Sequence, residues 1–252
     1  MAKQVRAAVN IALMSQGKLG QPEVAEQALI DGCADFIGQG HAMLCEPYWV
    51  DKVKKGMFYD MVPCIGCNEC LFGAFAGIGT PCAVNPICGY EKDYPQLPVE
   101  EPKRLLVIGG GPGGIQAAIN GIERGMEVEL WERESVLGGN LLPAGAPSFK
   151  LDVKRYVDYA INKLHRSGTK EATPDNVKAG NFDAVIVATG STCVIPPIEG
   201  VNGDNVRLSG EVFMDDLVGD TSVVIGGGLV GCEAALMIER DYGKKAIIVE
   251  SL

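Results

Sequence analysis

The sequence predicts an α/β chain built on parallel sheets, and three observations carry that expectation. Strand-like apolar runs alternate with helix-like stretches along most of the chain, the order that gives parallel sheets with helices outside them. One pattern of strand, glycine turn, helix and strand occurs twice, with Gly109, Gly111 and Gly114 matching Gly226, Gly228 and Gly231 at a constant offset of 117 residues. The 252 residues are 47% apolar and include 33 glycines, enough to bury one large core or two modest ones.

Taken in order, Met1 to Met14 places Lys3 and Arg6 before a short apolar stretch, but Asn10 interrupts it and no small-residue cleavage pattern follows, so it does not read as a signal peptide. From Asn10 to Gly56 the pattern is a strand (IALM), a glycine loop, a helix from Glu23 to Asp31, a second strand (ADFIGQG) and a second helix. Met57 to Pro102 reads as loop, holds a cysteine cluster and ends in the proline-rich YPQLPVEEP, a module plus linker. The strand LLVIG, a helix from Ile115 to Arg124 and the strand EVELWE follow, then a helix around Leu151 to His165 and a buried strand run FDAVIVATG. The second glycine pattern closes the chain. The expected segments are 1–56, 57–102, 103–219 and 220–252.

The net charge of −10 and pI near 4.8 exclude a partner bound by bulk positive charge, nucleic acid first. The longest apolar region, Leu71 to Gly89, contains Pro81, Asn85, Pro86 and several glycines, which a membrane helix would not carry. Four of the nine cysteines share a 19-residue window at metal-ligand spacing, so the expectation is a reducing, cytoplasmic setting without disulfides. Cys33, Cys193 and Cys232 are expected as small buried apolar side chains, with Cys45 and Cys88 unassigned.

In Gly109-x-Gly111-Pro112-Gly113-Gly114, glycine serves a tight turn, backbone approach to a pyrophosphate and close packing of helix on strand. The helix N-terminus faces the phosphates, and Pro112 suits its first position. Glu132 ends the next strand, where a carboxylate accepts from the hydroxyls of an adenosine ribose. The second fingerprint adds Glu233 after its third glycine and Glu250 at its strand end. A carboxylate at Glu250 disfavours a 2′-phosphate and points to NADH; the plain alternative is a solvated strand-end acid. Cys64, Cys67, Cys70 and Cys82 are spaced C-x2-C-x2-C-x11-C. Four thiolates suit a 4Fe–4S cluster or zinc, and three close cysteines with a distant fourth favour the cluster, which the apolar Leu71 to Gly79 stretch would shield. His41 and His165 are the only histidines, His165 reading as a helix-end surface residue. No hydrolase triad or carboxylate pair is present.

Together, CIGCNEC, CAVNPICGYE, LLVIGGGPGG, LGGN, VIVATGS and VVIGGGLVGCE resemble the iron–sulfur flavoenzymes related to 2,4-dienoyl-CoA reductase, 2-enoate reductase and trimethylamine dehydrogenase. The resemblance implies that Val5 to Gly56 is the end of a (β/α)8 barrel carrying FMN, with Gly17 and the pair Gly40 and His41 at its phosphate. His41 departs from the arginine usual there. It also implies that Gly109, Gly111, Gly114, Glu132, Gly139 and Asn140 hold FAD, with Thr189 and Gly190 at the nearby crossover, although a related module carries ADP. A further departure is the short stretch between Gly168 and Asn181, where a shortened edge is expected. A closed barrel takes eight strands and roughly 250 residues, so both ends read as cut and no catalytic acid can be named. The expected activity is electron flow from NADH through FAD and a 4Fe–4S cluster to FMN, reducing an activated C=C bond of a small molecule. The alternatives are amine oxidation or another reaction on the same electron chain, or an electron-transfer fragment needing a partner barrel, its own missing regions or a second copy.

Overall fold

The computed structural model describes residues 2–172 and 181–251. It divides into two compact units, Met1–Leu97 and Pro98–Leu252. Among the described residues, no helix is long and apolar enough to cross a membrane.

The first unit runs α1 (Ala2–Ala8), β1 (Met14–Gln16), α2 (Pro22–Ile30), β2 (Phe36–Gly38), α3 (His41–Cys45) and α4 (Trp49–Lys54). β1 and β2 pair in parallel, Met14 opposite Phe36 and Gln16 opposite Gly38, so the expected strand–helix–strand–helix order is present. The first strand starts only at the end of its apolar run; just before it, the Leu13 N–H donates to the Asp35 carboxylate at 2.8 Å while the Leu13 carbonyl accepts the Asp35 and Phe36 N–H groups. Pro22 opens α2, where its missing N–H costs nothing. Beyond α4 a 3-10 turn (Phe58–Asp60) leads to α5 (Glu69–Ala76), a helix in the segment expected to be loop. Glycines at 73 and 77 read as breakers in the sequence, yet Gly77 is the left-handed stop of α5, its N–H and that of Ile78 returning to the carbonyls of Ala74 and Gly73.

The second unit runs β3 (Arg104–Ile108), α6 (Pro112–Glu123), β4 (Glu127–Trp131), α7 (Leu141–Gly145), α8 (Leu151–Arg166), β5 (Lys170–Ala172), β6 (Ala184–Val187), α9 (Ser209–Met214), β7 (Thr221–Ile225), α10 (Leu229–Arg240) and β8 (Lys245–Val249). Four strands form a parallel sheet in the order β5-β4-β3-β6. Its centre is buried: Leu105, Leu106 and Val107 of β3 and Leu130 of β4 pack with Ile115, Ala118 and Ile119 of α6. Each buried Leu, Ile or Val side chain among them contributes about 1.5–3 kcal/mol. The i, i+4, i+8 row Tyr156, Ala160 and Leu164 is the buried stripe of α8. β5 is a three-residue edge strand on β4; the rest of the expected short edge, 173–180, lies outside the described residues.

β6 corrects an expectation. Its apolar run forms a strand as expected and pairs with β3, but all four residues are exposed, Val187 at 70%, because β6 ends the sheet among the described strands. Two cysteines expected to be buried are exposed as well. Cys193 lies in an irregular run beside Val194, itself 93% exposed, and Cys232 sits in the first turn of α10, its thiol donating to the Gly227 carbonyl at 3.2 Å. Cys33 is half-buried, while the unassigned Cys45 and Cys88 are buried.

β7 and β8 pair in parallel, Thr221 opposite Lys245 and Ile225 opposite Val249. This second nucleotide piece joins the first through Phe213, Ala234 and Met237 packed with Phe149 and Tyr242. Ser148 donates from both N–H and hydroxyl to the Asp241 carboxylate.

Candidate functional site

The cysteine segment closes on a pocket lined by Cys64, Cys67, Cys70 and Cys82, with His41, Ile65, Asn68 and Val84 among its walls. The chain turns through left-handed Gly66 and Asn68, which brings the Gly66 N–H to the Cys64 sulfur at 3.4 Å and sets Cys70 in the first turn of α5. Cys82 returns to the same pocket because α5 packs tightly on the loop before it. A Cβ on Gly73 would lie 2.5 Å from Pro81 Cδ and 2.6 Å from the Gly79 carbonyl oxygen. The Cys82 sulfur accepts the N–H groups of Val84 and Asn85; burial raises its pKa, those donors oppose the rise, and burial wins.

Zinc needs four donors converging on one point at about 2.0–2.3 Å. Among the described residues, no group of three or more His, Cys, Asp or Glu side chains is arranged to hold a single ion. The four thiols stand around a common space with backbone donors aimed at two of them, a set that fits an iron–sulfur cluster. The shield differs from expectation. Leu71, Phe72, Phe75 and Ile78 are exposed, Phe75 at 84%, since α5 turns them away from the pocket; Ile65, Ala83 and Val84 line it instead.

Around this pocket lie groups that local spacing does not reveal. The thiol of Cys45 is within hydrogen-bond reach of the Ala42 and Val62 carbonyl oxygens at 3.2 and 3.3 Å, and interaction with the neighbouring Cys64 thiol together with burial pushes its pKa far above the usual thiol range. Beside it, buried Glu46 accepts the Lys52 ammonium at 2.7 Å and the Val62 N–H at 3.2 Å. Burial works against the charge on Lys52, but its hydrogen bonds to Glu46 and Asp60 prevail and hold its pKa above the ordinary value. Asn85 donates to the Leu44 carbonyl at 2.8 Å. No sequence signal marks these contacts, which span 3 to 41 positions. Gly17 follows β1 and Gly40 follows β2 at the same end of the parallel pair, and Gln39 ties the two loops by donating to the Leu19 carbonyl at 2.5 Å. His41, expected beside Gly40 at a flavin phosphate, lies on the wall of the cysteine pocket.

In the second unit the glycine loop has the geometry its sequence foretold. Gly109 has φ +110° and a Cβ there would sit 2.2 Å from the Ala188 carbonyl oxygen, while a Cβ on Gly114 would sit 1.8 Å from the Gly109 carbonyl oxygen. Gly111 and Gly113 face open space, leaving room for a diphosphate at the N-terminus of α6. The LGGN turn folds over this loop: Gly138 N–H donates to the Gly110 carbonyl, a Cβ on Gly139 would be 3.0 Å from Gly111 Cα, and Asn140 caps α7. Thr189 and left-handed Gly190 follow β6 beside the same loop. Glu132 accepts Gly110 N–H at 2.5 Å and Glu134 N–H at 2.9 Å. Burial raises its pKa, but the backbone donors Glu134, Gly110 and Arg133 outweigh that and lower it. A carboxylate has about four acceptor positions, so Glu132 retains capacity for ribose hydroxyls.

The second loop copies the first. A Cβ on Gly231 would be 1.9 Å from the Gly226 carbonyl oxygen, and Gly228 faces open space. Glu250 accepts Gly227 N–H at 2.6 Å, so it is built into the loop and is not merely a solvated strand-end acid. Glu233 is paired with Lys150 at 2.6 Å, joining α10 to the start of α8.

The family model "Pyridine nucleotide-disulphide oxidoreductase" matches residues 103–252. Among curated relatives, an NADH oxidase of Thermoanaerobacter brockii is 37% identical over all of this chain and 41% of its own length. A cinnamate reductase of Clostridium sporogenes is 35% identical over 96% of this chain and 37% of its own. The solved structure of a 2-naphthoyl-CoA reductase in complex with 2-naphthoyl-CoA superposes with a TM-score of 0.88 at 26% identity, covering 98% of this chain and 39% of that one. The chain thus spans about two fifths of the length of the relatives it matches.

Proposed function

Because the chain belongs to the pyridine nucleotide-disulphide oxidoreductase family through residues 103–252, we propose that it is the electron-relay portion of an NADH-dependent iron–sulfur flavoenzyme that reduces an activated C=C bond. The observation that carries this reading is the pocket of Cys64, Cys67, Cys70 and Cys82 in a chain that also holds two dinucleotide loops. When bound, NADH supplies hydride, the flavins convert hydride to single electrons, and a 4Fe–4S cluster relays them.

The chain's own residues do the placing. Gly111 and Gly113 leave space for the FAD diphosphate, Glu132 holds its loop and ribose, and Gly139 and Asn140 close over it. Gly226, Gly228 and Gly231 repeat this for NADH, and Glu250 at the ribose position disfavours a 2′-phosphate. Gly17 and Gly40, side by side after parallel strands, fit the phosphate end of an FMN-binding barrel whose last two βα units are residues 1–56. Glu233 orders the NADH helix through Lys150. The C=C assignment rests on the relatives named as a cinnamate reductase and a 2-naphthoyl-CoA reductase, whose substrates each carry unsaturated carbon conjugated to a carbonyl. Iron and acid-labile sulfide assays with visible absorbance of the anaerobically purified full-length protein test the reading. A broad visible shoulder with iron and sulfide is expected; colourless protein holding zinc overturns it.

A further inference from the structure

Among the described residues outside the aromatic and sulfur-bearing side chains, two polar ones are buried, Glu46 at 2% exposed and Asn85 at 9%. Burying a polar group costs free energy unless its hydrogen bonds are made, and both residues make theirs between the end of α3 and one arm of the cysteine pocket. Glu46, directly after α3, accepts the Val62 N–H at 3.2 Å, two positions before Cys64. The same carboxylate accepts the Lys52 ammonium at 2.7 Å, and Lys52 donates onward to the Asp60 carbonyl at 2.6 Å, so the grip covers residues 60 to 62. Asn85, three positions after Cys82, donates to the Leu44 carbonyl at 2.8 Å. Continued helix would give that carbonyl the Tyr48 N–H, but Tyr48 donates to Glu46 at 3.2 Å, which leaves an orphan at the helix end for Asn85 to fill. One helix end thus holds the backbone of both arms, from which all four thiols come. It is itself fixed, since Trp49 donates to the Gly20 carbonyl at 2.7 Å and Gln39 to the Leu19 carbonyl at 2.5 Å.

Resting on the cluster reading above, we propose that Glu46 and Asn85 are positioning residues for the iron–sulfur cluster, Glu46 setting the Cys64 arm and Asn85 the Cys82 arm, so that the pocket is shaped before metal enters. Groups already held in place lose less freedom when the ligand arrives. Lys52 makes Glu46 a strong anchor, because hydrogen bonds between charged partners are the strong ones and a buried carboxylate needs such a partner. Asn85 acts as a donor, since the Leu44 carbonyl only accepts.

The test uses the full-length enzyme, purified anaerobically as wild type, Glu46→Ala, Glu46→Gln and Asn85→Asp. Loss of cluster absorbance to an iron chelator is timed, the EPR spectrum of the dithionite-reduced cluster is recorded, and FAD per protein is measured on each preparation. Glu46→Ala and Asn85→Asp are expected to release iron on the order of tenfold faster, the size that one lost buried hydrogen bond implies, with shifted EPR g-values and unchanged FAD. Glu46→Gln, whose amide oxygen still accepts the Val62 N–H, returns toward wild type in both readouts. Asn85→Asp keeps the side-chain volume but loses the donor, and it decides the matter if Glu46→Ala fails to fold. A wild-type release rate and spectrum in Asn85→Asp or in folded Glu46→Ala overturns the inference. Parallel loss of FAD and iron in Asn85→Asp also overturns it, since that marks a general loss of folding. Wild-type protein without iron would instead overturn the cluster reading itself.

Discussion

Cys82 is the residue on which the metal assignment turns, because it alone comes from outside the close CxxCxxC run yet reaches the same pocket. Cys82→Ala is expected to lose the full cluster, seen as a drop in iron and sulfide per protein, while flavin content stays near wild type. A complete cluster in that variant would point to buried Cys88 as the fourth ligand. Glu132 carries a second expectation at this scale. Its folded pKa is depressed below the ordinary 4.5 by backbone donors, so its contribution to stability is fully present above the unfolded pKa and is lost as pH falls through the folded one. Melting temperature followed from neutral pH down through the carboxylate range should decline more steeply in wild type than in Glu132→Gln; equal slopes would contradict this. The four cysteines, both glycine sets and both strand-end acids were legible in the sequence because their chemistry depends on local spacing. The place of Cys45 and His41 beside the cysteine loop was not, since only tertiary folding carries α3 there.

At the scale of elements, α5 and its packing decide whether the pocket closes. Gly73 permits backbone contact with the loop carrying Pro81 and Cys82, and Gly73→Ala forces overpacking that costs about 1–3 kcal/mol. The expected outcome is reduced iron occupancy with flavin binding retained, measured on one preparation by iron assay and flavin absorbance; normal iron occupancy would show that the contact is dispensable. α5 was hidden in the sequence because its glycines resemble breakers, whereas α6 and α10 were evident from the strand and glycine turn before each. β6 was recognised as a strand, but its burial was misjudged. A continuous apolar run marks a strand covered on both faces, and among the described strands the sheet ends at β6.

Across the whole molecule, the duplication at an offset of 117 residues is matched by a shared loop geometry in the two pieces. The joint between them was invisible in the sequence. It is built by Ser148 with Asp241, Lys150 with Glu233, and Tyr242 donating to the Val212 carbonyl at 2.7 Å, pairs separated by 30 to 93 positions. This joint orders the NADH loop against the module that receives its hydride in the proposed scheme. The scheme as a whole is tested most directly by adding NADH anaerobically to the iron-replete full-length enzyme and recording flavin absorbance and the EPR spectrum together. The account expects flavin bleaching accompanied by the signal of a reduced 4Fe–4S cluster, with Cys82→Ala keeping the bleaching and losing the signal. Bleaching without any cluster signal in the iron-replete wild type, or no bleaching at all, would contradict it.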